Sequence, residues 1–328
     1  YNEIHFAKDF AKTINVENIS KVITPDEYWD SFSDIQYYMD EPLADPAAIA
    51  LYFVSKLASE HVKVVMSGEG ADELFGGYRI YQEPLTLTAY DSLPFCIRKA
   101  ISKICEHLPK VHGINYLIRR GKTIEERFIG NAYIFTKKER DKILKNEKAK
   151  SAPEPKILCD KFYSEVKDKD DITKMQYLDI NMWLMGDILL KADKTSMANS
   201  LELRVPFLDK KVLELAETIP LDCRVNTKTT KLALRKAAEK SLPKLTADKD
   251  KLGFPVPIRV WLKEEKYYNR VKNAFTSDAA EKFFNTNKLI KMLDTHKSGK
   301  ADLSRKIWTV FTFLVWYNEF FGAPVKEH

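Results

Sequence analysis

Cysteine, paired histidines and long apolar runs are scarce in this chain, and each scarcity removes a class of protein. The four cysteines, Cys96, Cys105, Cys159 and Cys223, have no paired spacing. That spacing excludes a disulfide framework and a structural zinc site, and it predicts reduced thiols in a cytoplasmic protein. The six histidines are scattered. His107 and His112 are too far apart to share one helical face as metal ligands. The most apolar stretch, Trp308 to Phe321, is broken by Thr309, Thr312, Asn318 and Glu319. It is too short and too polar to span a bilayer and reads as a buried core helix. The chain opens Tyr1-Asn-Glu-Ile-His5, without the basic and apolar leader of a signal peptide. Neither sign of charge dominates: 53 basic and 47 acidic residues leave a net +6. Lys137-Lys138 and Lys210-Lys211 are isolated pairs, read as solvated faces, so no nucleic-acid partner is expected.

Against these absences stand 45% apolar and 12% aromatic residues, enough for a sizeable core. The length suits one large domain or two ordinary ones. Residues 2–14 have a helical pattern, and Val16 to Ile23 is a candidate strand. Thr24-Pro-Asp-Glu27 is a helix start with a capping box. Asp45-Pro46 opens another helix, with Ala50, Phe53, Val54 and Leu57 on its buried face. Val62, Val64, Val65 and Met66 then read as a short buried strand. This order suggests crossover units and a parallel sheet. After Tyr78 the pattern is almost wholly helical, with a break at Ser151–Pro155. From Asp171 a single long helix is expected, its stripe running Ile172, Met175, Leu178, Met182, Met185 and Leu189. Leu201 to Asp209 reads as irregular, and a helix is expected from about Lys228 to just before Pro243.

The segment Ser67-Gly-Glu-Gly-Ala-Asp-Glu-Leu-Phe-Gly-Gly-Tyr78 carries the most chemistry. Three carboxylates, Glu69, Asp72 and Glu73, sit among Gly68, Gly70, Gly76 and Gly77. Glycines let backbone N–H groups face an anion, and carboxylates hold a metal or take a proton. A loop at the carboxyl end of a parallel strand is where open α/β sheets bind ligands. Two further segments combine small residues with charge: Asp187 to Asp209 and Asp250 to Pro257. On their own, Asp72 and Glu73 read equally as acids complementing a helix dipole. Lys251 reads as one more solvated lysine, Glu202 and Arg204 as a buried pair or a substrate contact, and Tyr78 as core or pocket lining.

In this order the three segments resemble the synthetase domain of glutamine-dependent asparagine synthetases, over essentially the whole chain. The first two match as SGEGADELFGGY and LEXRVPFLD, the third as KXGFXVP. The resemblance implies an ATP pyrophosphatase fold: an α/β domain with a parallel sheet flanked by helices and a mainly helical C-terminal half. One domain is expected over 1–328, with sheet and helices in 1–150 and the helical part in 151–328. The implied reaction has two steps. The side-chain carboxylate of aspartate attacks the α-phosphorus of ATP, giving β-aspartyl-AMP and pyrophosphate; ammonia then gives asparagine and AMP.

The resemblance also implies roles. Ser67, Gly68 and Gly70 lie where the family contacts ATP, with Tyr78 and Lys191 as further candidates. Asp72 matches a magnesium ligand. Glu69 matches a residue associated with the aspartyl-adenylate, and Lys251 one that stabilises phosphate charge in the transition state. Asp193, Glu202 and Arg204 lie in the matching segments without an assigned role. Related β-lactam-forming synthetases carry tyrosine at the position of Glu69, which favours an asparagine synthetase here.

Two departures shape the expectation. Residue 1 is tyrosine, not the nucleophilic cysteine that begins the family's glutaminase domain. The Ser-Gly-Gly-Xaa-Asp-Ser-Ser pyrophosphate loop occurs nowhere in the 328 residues. The chain is therefore expected to lack the first strands of the sheet. By itself it is expected neither to bind ATP appreciably nor to make asparagine, and to self-associate through an apolar edge. The competing readings are a non-catalytic piece acting by protein association, and a synthetase with a different carboxylate substrate. A homodimer is compatible with either.

Overall fold

Helix starts tie this sequence most directly to its structure. The computed structural model describes residues 4–86, 88–108, 113–243, 253 and 256–322. Helix α1 (Ile4–Thr13) is followed by α2 (Pro25–Asp30), which begins at the expected capping box. There the Glu27 amide donates to Thr24 Oγ1 at 3.2 Å and the Thr24 amide donates to Glu27 Oε2 at 2.9 Å. After α3 (Phe32–Met39), Asp45 Oδ1 accepts from the Ala47 amide at 2.9 Å and opens α4 (Ala47–Ser59). Val54 is half exposed on this helix, unlike the buried Ala50 and Phe53. Residues 16–24 form no strand. Val16, Ile19 and Val22 are exposed there, and without a ladder partner an extended segment has no sheet to join.

The sheet is a parallel pair among the described residues. Strand β1 (Val64–Met66) lies beside β2 (Glu202–Arg204), with Val65 opposite Leu203. The stretch expected to be irregular thus opens with a strand and continues as a 3-10 turn, Pro206–Leu208. The strand at 62–66 forms but is not buried: Val64 is 41% and Met66 79% exposed. Only one face of so narrow a sheet is packed, and alternate side chains point away from it. The packed face meets α11 (Leu190–Met197), which also packs on α4.

Between the strands lie α5 (Ala71–Phe75), α6 (Phe95–Cys105), α7 (Ile114–Arg120), α8 (Ile124–Arg127), α9 (Pro155–Glu165) and α10 (Asp171–Leu178). The long helix expected from Asp171 changes pitch: Asp179–Leu189 is π-helical before α11 resumes. The wider π turn shifts the phase of the stripe. Met175 and Leu178 are fully buried, Met185 is 64% exposed, and Asp187 with Ile188 turns inward instead.

Helix α12 (Lys210–Thr218) precedes α13 (Leu232–Ala238). The latter starts four residues after the expected position. The Asn226 side chain accepts from the Lys228 and Thr229 amides, 2.9 Å each, and holds a turn that postpones the helix. Helices α14 (Glu265–Phe275), α15 (Thr286–Lys297) and α16 (Ser304–Phe321) complete the chain. The largest core joins α2 and α3 to these three. Trp308 of α16 stacks on Phe32 at 4.6 Å and meets the edge of Trp29 at 5.5 Å. A second cluster (Tyr81, Ile124, Met175, Leu178) and a third (Leu74, Phe75, Ala216) flank the loop after β1. No helix among the described residues is long and apolar enough to cross a membrane.

Candidate active site

At the carboxyl end of β1 the backbone turns away from the sheet. The Ser67 amide donates to the Arg204 carbonyl at 2.8 Å, which ties the loop to β2. Ser67 Oγ donates to Glu69 Oε1 at 3.4 Å. Gly68 is exposed, and a methyl group there would touch nothing within 4 Å, so a ligand can approach its backbone. Gly70 is different: its φ is +87°, and a Cβ would lie 2.2 Å from Leu208 Cδ2. Gly70→Ala is therefore expected to cost about 1–3 kcal/mol through strain and overpacking, read as a lower urea midpoint. An unchanged midpoint would show that Leu208 swings aside freely.

Asp72 of α5 pairs with Lys231, Oδ1 to Nζ at 3.0 Å. Lys231 is itself in the left-handed region, φ +54°, just before α13. Gly77 makes room for the pair: a Cβ there would sit 1.9 Å from Asp72 Oδ1 and 2.2 Å from Lys231 Cε. Glu73 points the other way and is buried. Its carboxylate accepts from the Tyr78 hydroxyl, which accepts in turn from Trp183 Nε1 at 3.1 Å. Burial and the adjacent Glu73 push the Tyr78 hydroxyl far up.

Lys191 is the electrostatic centre. Its ammonium, 8% exposed, donates to Asp45 Oδ2 at 2.5 Å and to Asp187 Oδ1 at 2.9 Å, and lies 5.9 Å from the Trp183 ring centre. Burial works against its charge, but the two carboxylates win and raise its pKa. Burial would likewise raise Asp45, and Lys191 outweighs it and holds Asp45 low. For Asp187 burial and the Asp45 charge prevail, lifting it to about 7. Glu69 is raised by burial, with Lys191 and Ser67 pulling the other way and Asp72 and Asp45 adding repulsion. The site therefore gathers Asp45, Glu69, Asp72 and Asp187 against Lys191 and Lys231.

Deeper in, Asp179 is fully buried. It accepts from the Tyr81 hydroxyl at 2.7 Å, while its Oδ1 has no hydrogen-bond partner among the described residues. Burial lifts its pKa from 3.8 to about 7. Between those values the folded chain holds a proton that the unfolded chain releases. Stability from this group is therefore full below the unfolded pKa and falls as pH rises through the window, by up to about 1.4 kcal/mol per pH unit. Asp179→Asn, neutral throughout, should gain on the parent between pH 5 and 8. Urea midpoints that stay parallel across that range would refute the assignment.

The structure thus brings Ser67, Gly68, Glu69 and Gly70 onto one loop, with Asp72 in the first turn of α5, and sets Lys191 near Glu69. Tyr78 turns toward the core. Glu202 and Arg204 form an exposed pair at 2.9 Å, side chains 58% and 64% accessible, so of their two readings the buried pair is corrected. Asp193 is exposed. Lys251 lies outside the described residues. Asp45, Trp183, Asp187 and Lys231 were not singled out beforehand. Asp187 and Lys191 had a signal in their four-residue spacing, and Asp45 was visible only as a helix cap. Lys231 had none.

A parallel strand pair with an acidic, glycine-bearing loop at its carboxyl end defines an α/β protein of the ligand-at-sheet-end class. The family model described as asparagine synthase matches residues 1–318. Asparagine synthetase (glutamine-hydrolyzing) 1 of Bacillus subtilis is 45% identical over 319 residues, covering 97% of this chain and 50% of that protein. A Mycobacterium tuberculosis protein described as "Putative asparagine synthetase (glutamine-hydrolyzing)" is 41% identical over 324 residues, 97% of this chain and 48% of its own length. The chain belongs to the asparagine synthase family. It spans about half the length of these curated relatives.

Proposed function

We propose that the protein is an ATP-dependent amide-forming ligase that activates aspartate as β-aspartyl-AMP and passes it to ammonia. The observation that carries this reading is Glu69: a half-buried carboxylate with a raised pKa, on a loop otherwise open to a ligand, beside a buried cation. Gly68 and Ser67 offer the nucleotide an unobstructed backbone and a hydroxyl. The carboxylate oxygen of aspartate attacks the α-phosphorus, and the bond to pyrophosphate breaks. Ammonia then adds to the acyl carbon and AMP leaves. The raised pKa suits Glu69 to relieve the incoming nitrogen of a proton. Lys191 counters the negative charge that gathers at the same place.

Magnesium is tested by the donor set. No group of three or more metal-binding side chains occurs among the described residues. A single carboxylate with phosphate oxygens and water suits an ion that arrives with nucleotide. Asp72 is the residue that would hold it, sharing its carboxylate with Lys231 or displacing that lysine. The ion would neutralise phosphate charge that four nearby carboxylates otherwise repel.

The test is aspartate-dependent exchange of pyrophosphate into ATP by the full-length protein, followed by asparagine formation from ammonia. Exchange driven by another carboxylate, and not by aspartate, would replace the substrate. No exchange with any amino acid would favour a role in association alone.

A further inference from the structure

A cavity of about 510 Å³ lies apart from the loop after β1, none of whose residues lines it. It is framed by Pro84, by Asp91, by residues of α6, α7, α8 and α10, and by the turn before α8. Its size falls in the range of small-molecule sites, roughly 300–1,000 Å³. Five of the charged side chains lining it are basic and three acidic. We propose that this cavity binds the phosphate group of a small phosphorylated molecule, independently of the ligase site.

Arg127 is the strongest support. Its side chain is only 5% exposed, and its one short bond among the described residues runs from Nη1 to the Lys122 carbonyl at 2.9 Å. Nε lies 3.4 Å from Glu83 without a hydrogen-bond partner among the described residues, and Nη2 lies 3.4 Å from Asp171. Good guanidinium–carboxylate bonds are nearer 2.7–2.9 Å, roughly. Nε and Nη2 are thus short of close acceptors, and an oxyanion in the cavity supplies them. Lys122 pairs with Glu106 at 2.7 Å on the accessible side, while Lys174, only 13% exposed, pairs with Glu125 at 2.7 Å. Pairs between exposed partners are weak, so the Lys122 ammonium can turn to a ligand at small cost. Arg120 is buried below, with one guanidinium nitrogen giving to Asp91 and to the Thr86 carbonyl. At the rim, Phe95 leaves 37% of its surface open. That places a flat apolar surface beside the basic floor, which suits an organic phosphate better than the free ion.

Phenyl phosphate is the probe, titrated calorimetrically into the full-length protein at low ionic strength. Saturable binding is expected, weakening with salt, with none for phenol. Lys122→Gln combined with Lys174→Gln should weaken it at least tenfold. If the double variant fails to fold, Lys122→Gln alone, on a side chain 37% exposed, should weaken it severalfold. The Glu69→Gln substitution should leave it unchanged. No saturable binding, equal affinity in a folded lysine variant, or loss of binding in Glu69→Gln would each overturn the proposal. None of these outcomes bears on the ligase reading, whose test is pyrophosphate exchange.

Discussion

Lys191→Met is expected to destabilise the protein by about 3–5 kcal/mol at neutral pH, the scale for removing one partner from a buried ion cluster. Methionine fills the space of the lysine stem but leaves Asp45 and Asp187 facing each other in a buried site. Two like charges so placed cannot both stay ionised cheaply, so one takes up a proton. In the parent, Asp45 is held low by Lys191, and its contribution is present above the unfolded pKa and lost as pH falls through the folded one. Asp187 is raised to about 7 and contributes in the opposite direction. In the variant, folded-state protonation of both acids offsets part of the loss at low pH. Urea midpoints should therefore show a deficit that shrinks from pH 7.5 to pH 5. A deficit below about 1 kcal/mol and flat with pH would mean that the cluster opens to water when its cation is removed. Activity should fall as well, since Lys191 is among the charges that set the protonation of Glu69.

Glu69→Gln should separate chemistry from folding. The side chain is on a loop, with the Ser67 hydroxyl at 3.4 Å, and an amide oxygen can keep that contact. The melting temperature should hold or rise by up to about 2 °C, because burial penalises the Glu69 charge and the amide is neutral. Asparagine formation by the full-length protein should drop by roughly 10²–10⁴, the range for a lost acid–base group. The acid limb of the pH–rate profile should flatten as well. Because burial raises the Glu69 pKa, that limb in the parent should lie above the ordinary glutamate range. Near-normal turnover in the Gln variant would take Glu69 out of the mechanism.

Local signals in this sequence specify their elements by themselves, and features that depend on distant packing do not. The capping box at Thr24 and the helix opening at Asp45 are complete within a few residues, and both form. The strand at 64–66 was visible as an apolar run, but its exposure depends on what packs against it. Its partner, Glu202–Arg204, alternates charge with one leucine over three residues and carries no strand signal of its own. The π segment was hidden because a hydrophobic stripe is consistent with either pitch until the buried positions are known. At the site, the loop from Ser67 to Asp72 was legible as a motif. The partners that tune it were not: Asp45, Asp187 and Lys231 arrive from three other parts of the chain.

The pairing of β1 with β2 joins segments roughly 140 residues apart, with a helical region between them. At a synthesis rate of about 5–20 residues per second, β1 leaves the ribosome some 7–30 seconds before its partner exists. Throughout that interval the Ser67 amide has no Arg204 carbonyl to hold, and Glu69 has no Lys191 beside it. The helices between the strands are local and can form first, within microseconds. The ligand loop is thus the last part of this region to be assembled on the nascent chain. Until then the backbone of β1 has no partner strand and is open to chaperones or to a neighbouring chain.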